Sequence, residues 1–414
     1  MKSASVLAIG TLIAQSIPIL LQPFLRRYFS PEDFGIFSVY TSIIGILMVI
    51  ASFRYEQTIV LPKRNSDSVC LLGLSIINGF IFSLILLILI LLLKDKFAFL
   101  INIPQSKRYI VLLIPLSTFL LSVFQALNFW LIRKKAFVAI SSNKLSRRIM
   151  EGVSQSIFAF KGVVVGLIWG DLIGQIANVA TSLYQSIRKG FNYREINLKK
   201  MWILFNKYSD FPKYNLLTSA LSAASFLMPV IFINKLFSNE YAGYFDLSKL
   251  MLSIPLALIA SSFSSVVLQK VSEKFQIRQS IYYDLKPIIV IVSIIAILEI
   301  LIVLFFGENI FTLFFGKSWQ YSGVISKMLV WAFALNFIAS TFTSVFVALN
   351  RIKVQSVWQL VYFLLIISIL YFNYHSFESF LWVYISIEIF SNLFLIGLLI
   401  LVLSKYEASI RFSR

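Results

Sequence analysis

Uncharged apolar runs of about twenty residues recur along the whole chain, and no other feature of the sequence restricts its fold as tightly. An α-helix rises 1.5 Å per residue, so about 20 residues cross a hydrocarbon layer roughly 30 Å thick. Eight runs meet that length: 3–25, 34–53, 68–93, 109–132, 214–234, 250–269, 328–350 and 354–377. Four more, 143–160, 162–187, 287–306 and 379–404, carry ionisable residues within the same kind of pattern. The fold class predicted is therefore an all-α integral membrane protein with twelve transmembrane helices. The fifth run is the most polar, with Arg147, Arg148 and Glu151 in its first half. It suits a partly exposed helix, a span facing water, or an interfacial hairpin arm.

Composition agrees with this class. Hydrophobic residues make up 59% of 414, charged residues 13%, and mean hydropathy is +0.86. Such values exclude disorder and point away from a soluble globule. The net charge of +19 would suggest nucleic acid in a soluble protein. Here it suits loops facing an anionic leaflet, and Arg147-Arg148 and Lys199-Lys200 belong to no recognisable nucleic-acid module. A single cysteine, Cys70, rules out an intramolecular disulfide.

Lys2 with the long run behind it differs from a cleavable leader, whose apolar region is shorter, so this run is expected to remain as the first span. With the N-terminus inside, 26 of the 37 basic residues fall on inward segments and 11 on outward ones. Both termini are therefore expected to be cytoplasmic. The longest polar connection, 188–213, is basic and divides the spans six and six. The organisation expected is an N-terminal bundle over 1–187, the connection 188–213, a C-terminal bundle over 214–404 and a cytoplasmic tail over 405–414.

The halves carry an internal echo. Phe24, Phe29, Ser30, Glu32, Gly35 and Phe37 reappear 208 positions later as Phe232, Phe237, Ser238, Glu240, Gly243 and Phe245, and Lys235 stands where Arg27 does. A second, shorter echo joins Ala126-Leu127-Asn128 to Ala348-Leu349-Asn350. Six spans restore the starting side of the membrane, so the duplication favours two pseudo-symmetric six-helix bundles. Within the repeated Ser-x-Glu-x-x-Gly element, the serine can cap a following helix and the glycine permits close approach.

The stretch Arg26-Arg27-Tyr28-Phe29-Ser30-Pro31-Glu32-Asp33-Phe34-Gly35, with Ser52-Phe53-Arg54-Tyr55-Glu56-Gln57 and the residues through Pro62, resembles bacterial polysaccharide or O-antigen flippases of the Wzx type. The span pattern extends that resemblance over the chain, while the specific motif is concentrated near its start. The resemblance implies membership of the multidrug, oligosaccharidyl-lipid and polysaccharide exporter superfamily. It also implies translocation of an undecaprenyl-diphosphate-linked oligosaccharide from the cytoplasmic to the outer leaflet of a bacterial inner membrane. The product would be lipopolysaccharide O-antigen, capsule or a related polysaccharide, with a polysaccharide polymerase or assembly proteins as further partners.

Such cargo presents a diphosphate, which calls for cationic groups, a glycan, which calls for a wet cavity, and a lipid tail. Arg26, Arg27, Arg54 and Lys235 are the candidate diphosphate ligands; equally, all four can be anchors that reach lipid headgroups. Glu56, Asp171, Glu299 and Glu388 are candidates for the cavity or for coupling to a proton or sodium gradient. A charge facing lipid near mid-span costs roughly 2.5–3.5 kcal/mol, so each needs water, a cation, a proton or a helix partner. Static polar contacts between helices would satisfy them as well. Gly162, Gly166, Gly170 and Gly174 recur every four residues and are expected to pack a helix closely. Asn78, Gln125, Asn128, Gln155, Gln175, Asn178 and Asn336 can serve glycan hydroxyls or other helices, and His375, the only histidine, is expected at the surface.

No metal-ligand set, bound cofactor motif or catalytic constellation is visible in the sequence. Transport rather than enzymatic catalysis is expected. The alternatives are a multidrug or small-solute antiporter, which would favour cationic cargo, and a membrane glycosyltransferase or polysaccharide polymerase, which would need a long outward catalytic loop.

Overall fold

A computed structural model describes residues 2–411; the side chains of 2–9, 11, 12, 94, 98, 100 and 411 are outside it. Arg414 of the charge count and residues 412–414 of the expected tail lie outside the described residues, as do the side chains of Lys2 and Arg411. Every described element is helical. In order they are α1 (Lys2–Tyr28), α2 (Pro31–Ala51), α3 (Asn65–Leu100), α4 (Leu113–Arg133), α5 (Phe137–Phe160), α6 (Gly166–Arg188), α7 (Leu198–Lys207), α8 (Leu216–Leu236), α9 (Asn239–Gln276), α10 (Tyr282–Phe315), α11 (Gln320–Thr341), α12 (Ser344–Ala348), α13 (Ile352–Ser368) and α14 (Phe377–Arg411).

Long helices occupy all twelve predicted spans; the short α7 is an addition within the connection 188–213, and the short α12 forms the end of the span expected over 328–350. Among the described residues, nine helical stretches are long and apolar enough to cross a membrane. α1, α5 and α6 run for 27, 24 and 23 residues, which also suffices for crossing, but they are more polar. Large apolar side chains stay exposed along the long helices, among them Leu84, Ile85, Ile88 and Leu92 on α3 and Ile294, Ile297, Leu301 and Phe305 on α10. A continuous apolar surface of this kind requires hydrocarbon around it. The chain is a multi-pass membrane protein.

The chain divides into two compact units, Met1–Gly243 and Tyr244–Arg414. In the first, Val69, Leu72, Ala126, Leu127, Trp130 and Ile140 form a core between α3, α4 and α5, and Met201 and Leu204 of α7 close it. In the second, Val271, Val292, Phe337, Phe346, Leu395 and Leu399 bring α9, α10, α11, α12 and α14 together.

The echoed corners have matching local structure. Ser30 caps α2 by accepting from the Asp33 amide at 3.2 Å, while Asp33 accepts from the Ser30 amide at 3.2 Å, and Pro31 occupies the first turn. Ser238 accepts in the same way from the Tyr241 amide at 3.3 Å, at the start of α9. The carboxylate that completes the first cap is Asp33; Glu32 is its neighbour.

Candidate functional site

Charged or polar side chains form three groups in unit 1 and one in unit 2, two of the four at turns and helix ends and two between packed helices. The first is the turn after α2. Phe53 and Arg54 take left-handed backbone angles, φ 52° and 63°, and a short 3-10 turn over Tyr55–Val60 follows. Two residues apart on a helix, Arg54 and Glu56 would point away from one another. The reversal instead brings Arg54 Nη1 to 3.5 Å from Glu56 Oε1, and Arg54 Nη2 donates to Ser219 Oγ of α8 at 2.9 Å. Ser52 Oγ donates to the other carboxylate oxygen. Glu56 is only 2% exposed. Burial pushes its carboxyl above the usual range, against the opposing pull of Ser52, its own backbone amide and Arg54. Burial likewise pushes the neighbouring Tyr55 hydroxyl up to about 12.

The second group joins α5 to α6. Gly166, Gly170 and Gly174 face α5 so closely that an added Cβ would stand 2.4 Å from Phe158 Cβ, 2.4 Å from Gln155 Cγ and 2.8 Å from Glu151 Cβ. Gly162 is not on that face; it lies in the preceding turn with φ 63° and open space about it. The close approach lets Asp171, 3% exposed, accept from Arg147 Nη2 at 3.3 Å and from Gln175 Nε2 at 2.7 Å. Arg148 donates to Glu151 at 2.8 Å. A small cleft beside these groups is lined by Gln22, Phe34, Phe37, Arg148, Glu151 and Gln155.

The third group locks the echoed corners together. A Cβ on Gly35 would stand 1.7 Å from the Asn239 carbonyl oxygen, and a Cβ on Gly243 would stand 1.9 Å from that of Pro31. Positions 31 and 239, like 35 and 243, are related by the 208-residue offset, so this is a reciprocal contact between the two copies. The chain after α3 clasps the second corner. Asn102 Nδ2 donates to the Asn234 carbonyl at 2.9 Å, Asn234 Nδ2 to the Ile101 carbonyl, and Asn239 Nδ2 to the Asn102 carbonyl at 3.1 Å. Lys107 bridges to Asp33 at 3.2 Å and Glu32 at 3.7 Å on the first corner.

The four candidate cations do not converge. Arg26 is 1% exposed, donates to Gln22 Oε1 at 2.7 Å and lies 3.9 Å from the Phe34 ring centre. Arg27 is exposed at the end of α1. Lys235 donates to the Phe99 carbonyl at 3.1 Å, with its ammonium 3.8 Å from that ring's centre. Arg54 is held in the turn described above.

In unit 2, Glu388 of α14 is buried and accepts from Tyr362 Oη at 2.6 Å and from Tyr384, with Lys249 of α9 near enough to act on it by charge. Asn336 donates to Asn392 at 3.1 Å one turn further along α14. Glu299 is half-buried on α10, and its Oε2 has no hydrogen-bond partner among the described residues. No cluster of three metal-ligating side chains occurs among the described residues.

Sequence reasoning missed Lys249, Tyr362, Tyr384, Ser219 and the asparagine clasp. Only the clasp left a trace: Asn234 lies one 208-residue offset from Arg26, and Asn239 one offset from Pro31.

Helices of membrane-crossing length that enclose buried charged and polar groups define a multi-pass α-helical membrane protein. The lipid II flippase MurJ, in an inward closed conformation, superposes with a TM-score of 0.74 at 14% identity, covering 98% of this chain and 90% of that one. An inward-facing multidrug resistance MATE family transporter of the MOP superfamily gives 0.71 at 14% identity, over 97% and 98%. A MOP superfamily transporter from Pyrococcus furiosus, described as having a binding pocket of reversed polarity, gives 0.62 at 14% identity, over 98% and 96%. A search of curated proteins found no match. Residues 24–324 match the model of the polysaccharide biosynthesis protein family, and the chain belongs to that family.

Proposed function

We propose that the chain is a flippase carrying an undecaprenyl-diphosphate-linked oligosaccharide from the cytoplasmic to the outer leaflet of a bacterial inner membrane. The observation that carries this reading is the combination of a transporter fold with membership of a polysaccharide biosynthesis family. A glycan assembled on a lipid at one face and used at the other requires its headgroup to cross the apolar layer, and a transporter lowers that desolvation penalty. The MurJ likeness supports lipid-linked cargo by analogy of fold. No bond is made or broken in such a step, so the protein acts as a transporter and not an enzyme. Both termini are cytoplasmic in this reading, and the product feeds a polymerase or assembly protein.

The reciprocal glycine contact gives the mechanism a physical element. With the N-terminus inside, the corners at Ser30 and Ser238 lie at the outward end, where their contact closes unit 1. Separation of the corners would open that end, as alternating access demands. Glu388 with Lys249 and its tyrosines is a candidate for gradient coupling, by protons or by sodium.

The MATE likeness favours a second reading, export of a cationic solute. Reconstitution with defined lipid-diphosphate oligosaccharides, with and without proton or sodium gradients, separates the two. Leaflet transfer that a cationic drug does not compete supports the flippase; drug efflux without lipid transfer supports the antiporter. Arg27→Gln and Lys235→Gln are expected each to lower lipid transfer several-fold, and unchanged transfer at normal abundance would remove them as diphosphate ligands.

A further inference from the structure

The basic connection contains a helix for which the transport cycle above has no role. α7 buries Met201 and Leu204 while leaving Leu198, Trp202 and Ile203 exposed by 73%, 67% and 64%. Lys199, Lys200 and Lys207 stand among these apolar side chains.

Contacts to α3 fix how deep this segment lies. Cys70 Sγ donates to the Glu195 carbonyl at 3.5 Å, and Ile196 Cδ1 lies 3.2 Å from the place a Cβ on Gly73 would take. The uncharged run of α3 opens at Ser68. At 1.5 Å per residue, Gly73 is roughly 7 Å further along the helix. Lys200 then reaches back to Asp67 at 2.5 Å and to Ser66 Oγ at 2.9 Å, beside the polar end of α3. The approach to α7 thus runs within the apolar level of α3, and α7 itself lies at its boundary. Interfacial helices occupy this depth, with apolar side chains about 5–10 Å into the headgroup and acyl boundary.

Charge selects the occupant of the exposed face. Between Arg188 and Lys213, seven Lys and Arg stand against Glu195 and Asp210. Lysine stems can lie along acyl chains while the ammonium groups meet lipid phosphates.

α7 is also tied to the charged turn. Trp202 stacks on Phe205 with ring centres 5.6 Å apart, and Phe205 stacks on Tyr55 at 5.2 Å. Tyr55 Oη donates to the Phe205 carbonyl at 2.9 Å, and Tyr55 sits between Arg54 and Glu56. We propose that α7 is seated on an anionic phospholipid leaflet and that this seating holds the Arg54–Glu56 turn through the Trp202, Phe205 and Tyr55 stack. The consequence for flux rests on the flippase reading; the seating does not.

The seating is tested with a nitroxide on Ile203→Cys in a Cys70→Ala background, since Cys70 is the one native thiol. The full chain is reconstituted in phosphatidylglycerol and phosphatidylethanolamine, or in phosphatidylcholine alone. In anionic vesicles the label meets lipid-soluble oxygen in preference to a water-soluble nickel chelate. Lys199→Gln and Lys207→Gln, both exposed, shift that preference toward nickel by about fivefold each. In neutral vesicles the parent behaves like the chain that carries Lys199→Gln and Lys207→Gln together. Equal nickel access in both compositions, or shielding from both reagents in detergent as well, would overturn the seating. Amide exchange over 52–60 in the same samples is slower in anionic vesicles, and Phe205→Ala removes that difference. Identical exchange in both lipids would overturn the link to the turn. Loss of flux with seating intact would count against the flippase reading alone.

Discussion

Arg54 shows how one residue is held by two opposing demands. Its left-handed backbone costs a non-glycine residue about 1–2 kcal/mol, yet its guanidinium supports a buried carboxylate. Arg54→Ala is therefore expected to lower stability by about 1.5–3 kcal/mol, since Glu56 keeps Ser52 but loses its charged partner. Arg54→Gly should be about 1 kcal/mol more stable than Arg54→Ala, because it relieves the backbone and loses the same charge. Thermal unfolding in detergent compares the two, and equal stability would show that the backbone angle carries no strain. Glu56 adds a pH signature. Its folded proton affinity is raised above the ordinary value of 4.5, so the proton it holds favours the folded state. That contribution is complete below the ordinary value and is lost as pH rises through the folded one. The stability of the parent relative to Glu56→Gln should accordingly fall as pH rises above 4.5, and a flat difference would contradict the burial-driven shift.

At the scale of elements, the reciprocal corner is the feature most sensitive to a single methyl group. Gly35→Ala and Gly243→Ala each place a carbon inside contact distance of a carbonyl that backbone geometry holds rigid. Each should cost about 1–3 kcal/mol through displacement of the facing corner. The two effects should be of similar size, because the contacts are copies of one another. Gly397→Ala on α14 is the control: nothing lies within 4 Å of the new carbon, and removing a helical glycine stabilises by up to about 1 kcal/mol. Unfolding of the three variants decides the matter, and harmless substitutions at both corners would mean that they do not meet. Much of this corner was legible as a 208-residue echo with a cap and a glycine. Its partner was not, since a linear repeat does not say that the copies touch. The α5 and α6 contact was legible in the glycine spacing, and Asp171 in its improbable position, while its partner Arg147 stood in a span read only as unusually polar. Arg26 was legible as a cation near a helix end, while its burial against the Phe34 ring was not. The α7 helix was read as connection because ten residues give too few turns for a periodic signal.

For the whole molecule, the apolar runs made the spans legible because hydrocarbon sets a minimum apolar length for every helix that crosses it. The polar partners within the spans were not, because Lys249 and Glu388 are separated by most of unit 2 in sequence and meet only once α9 and α14 pack. The proposed orientation rests on charge. In the orientation proposed above, with the N-terminus inside, 26 basic residues fall on inward segments against 11 outward, and seven of the inward ones lie between 188 and 213 alone. Translocating such segments is disfavoured, so every connection's side follows from the first. Cys70 is buried, leaving little background for thiol labelling of single-cysteine variants. Cysteines replacing the exposed residues Ser106, Ser318 and His375 should react with a membrane-impermeant maleimide applied to intact cells. Cysteines replacing the exposed residues Lys63, Asn192 and Gln279 should react only after permeabilisation. The reverse pattern would invert the molecule and place α7 on the outer leaflet. A mixed pattern within either set would mean that one of the polar helices α5 or α6 does not cross.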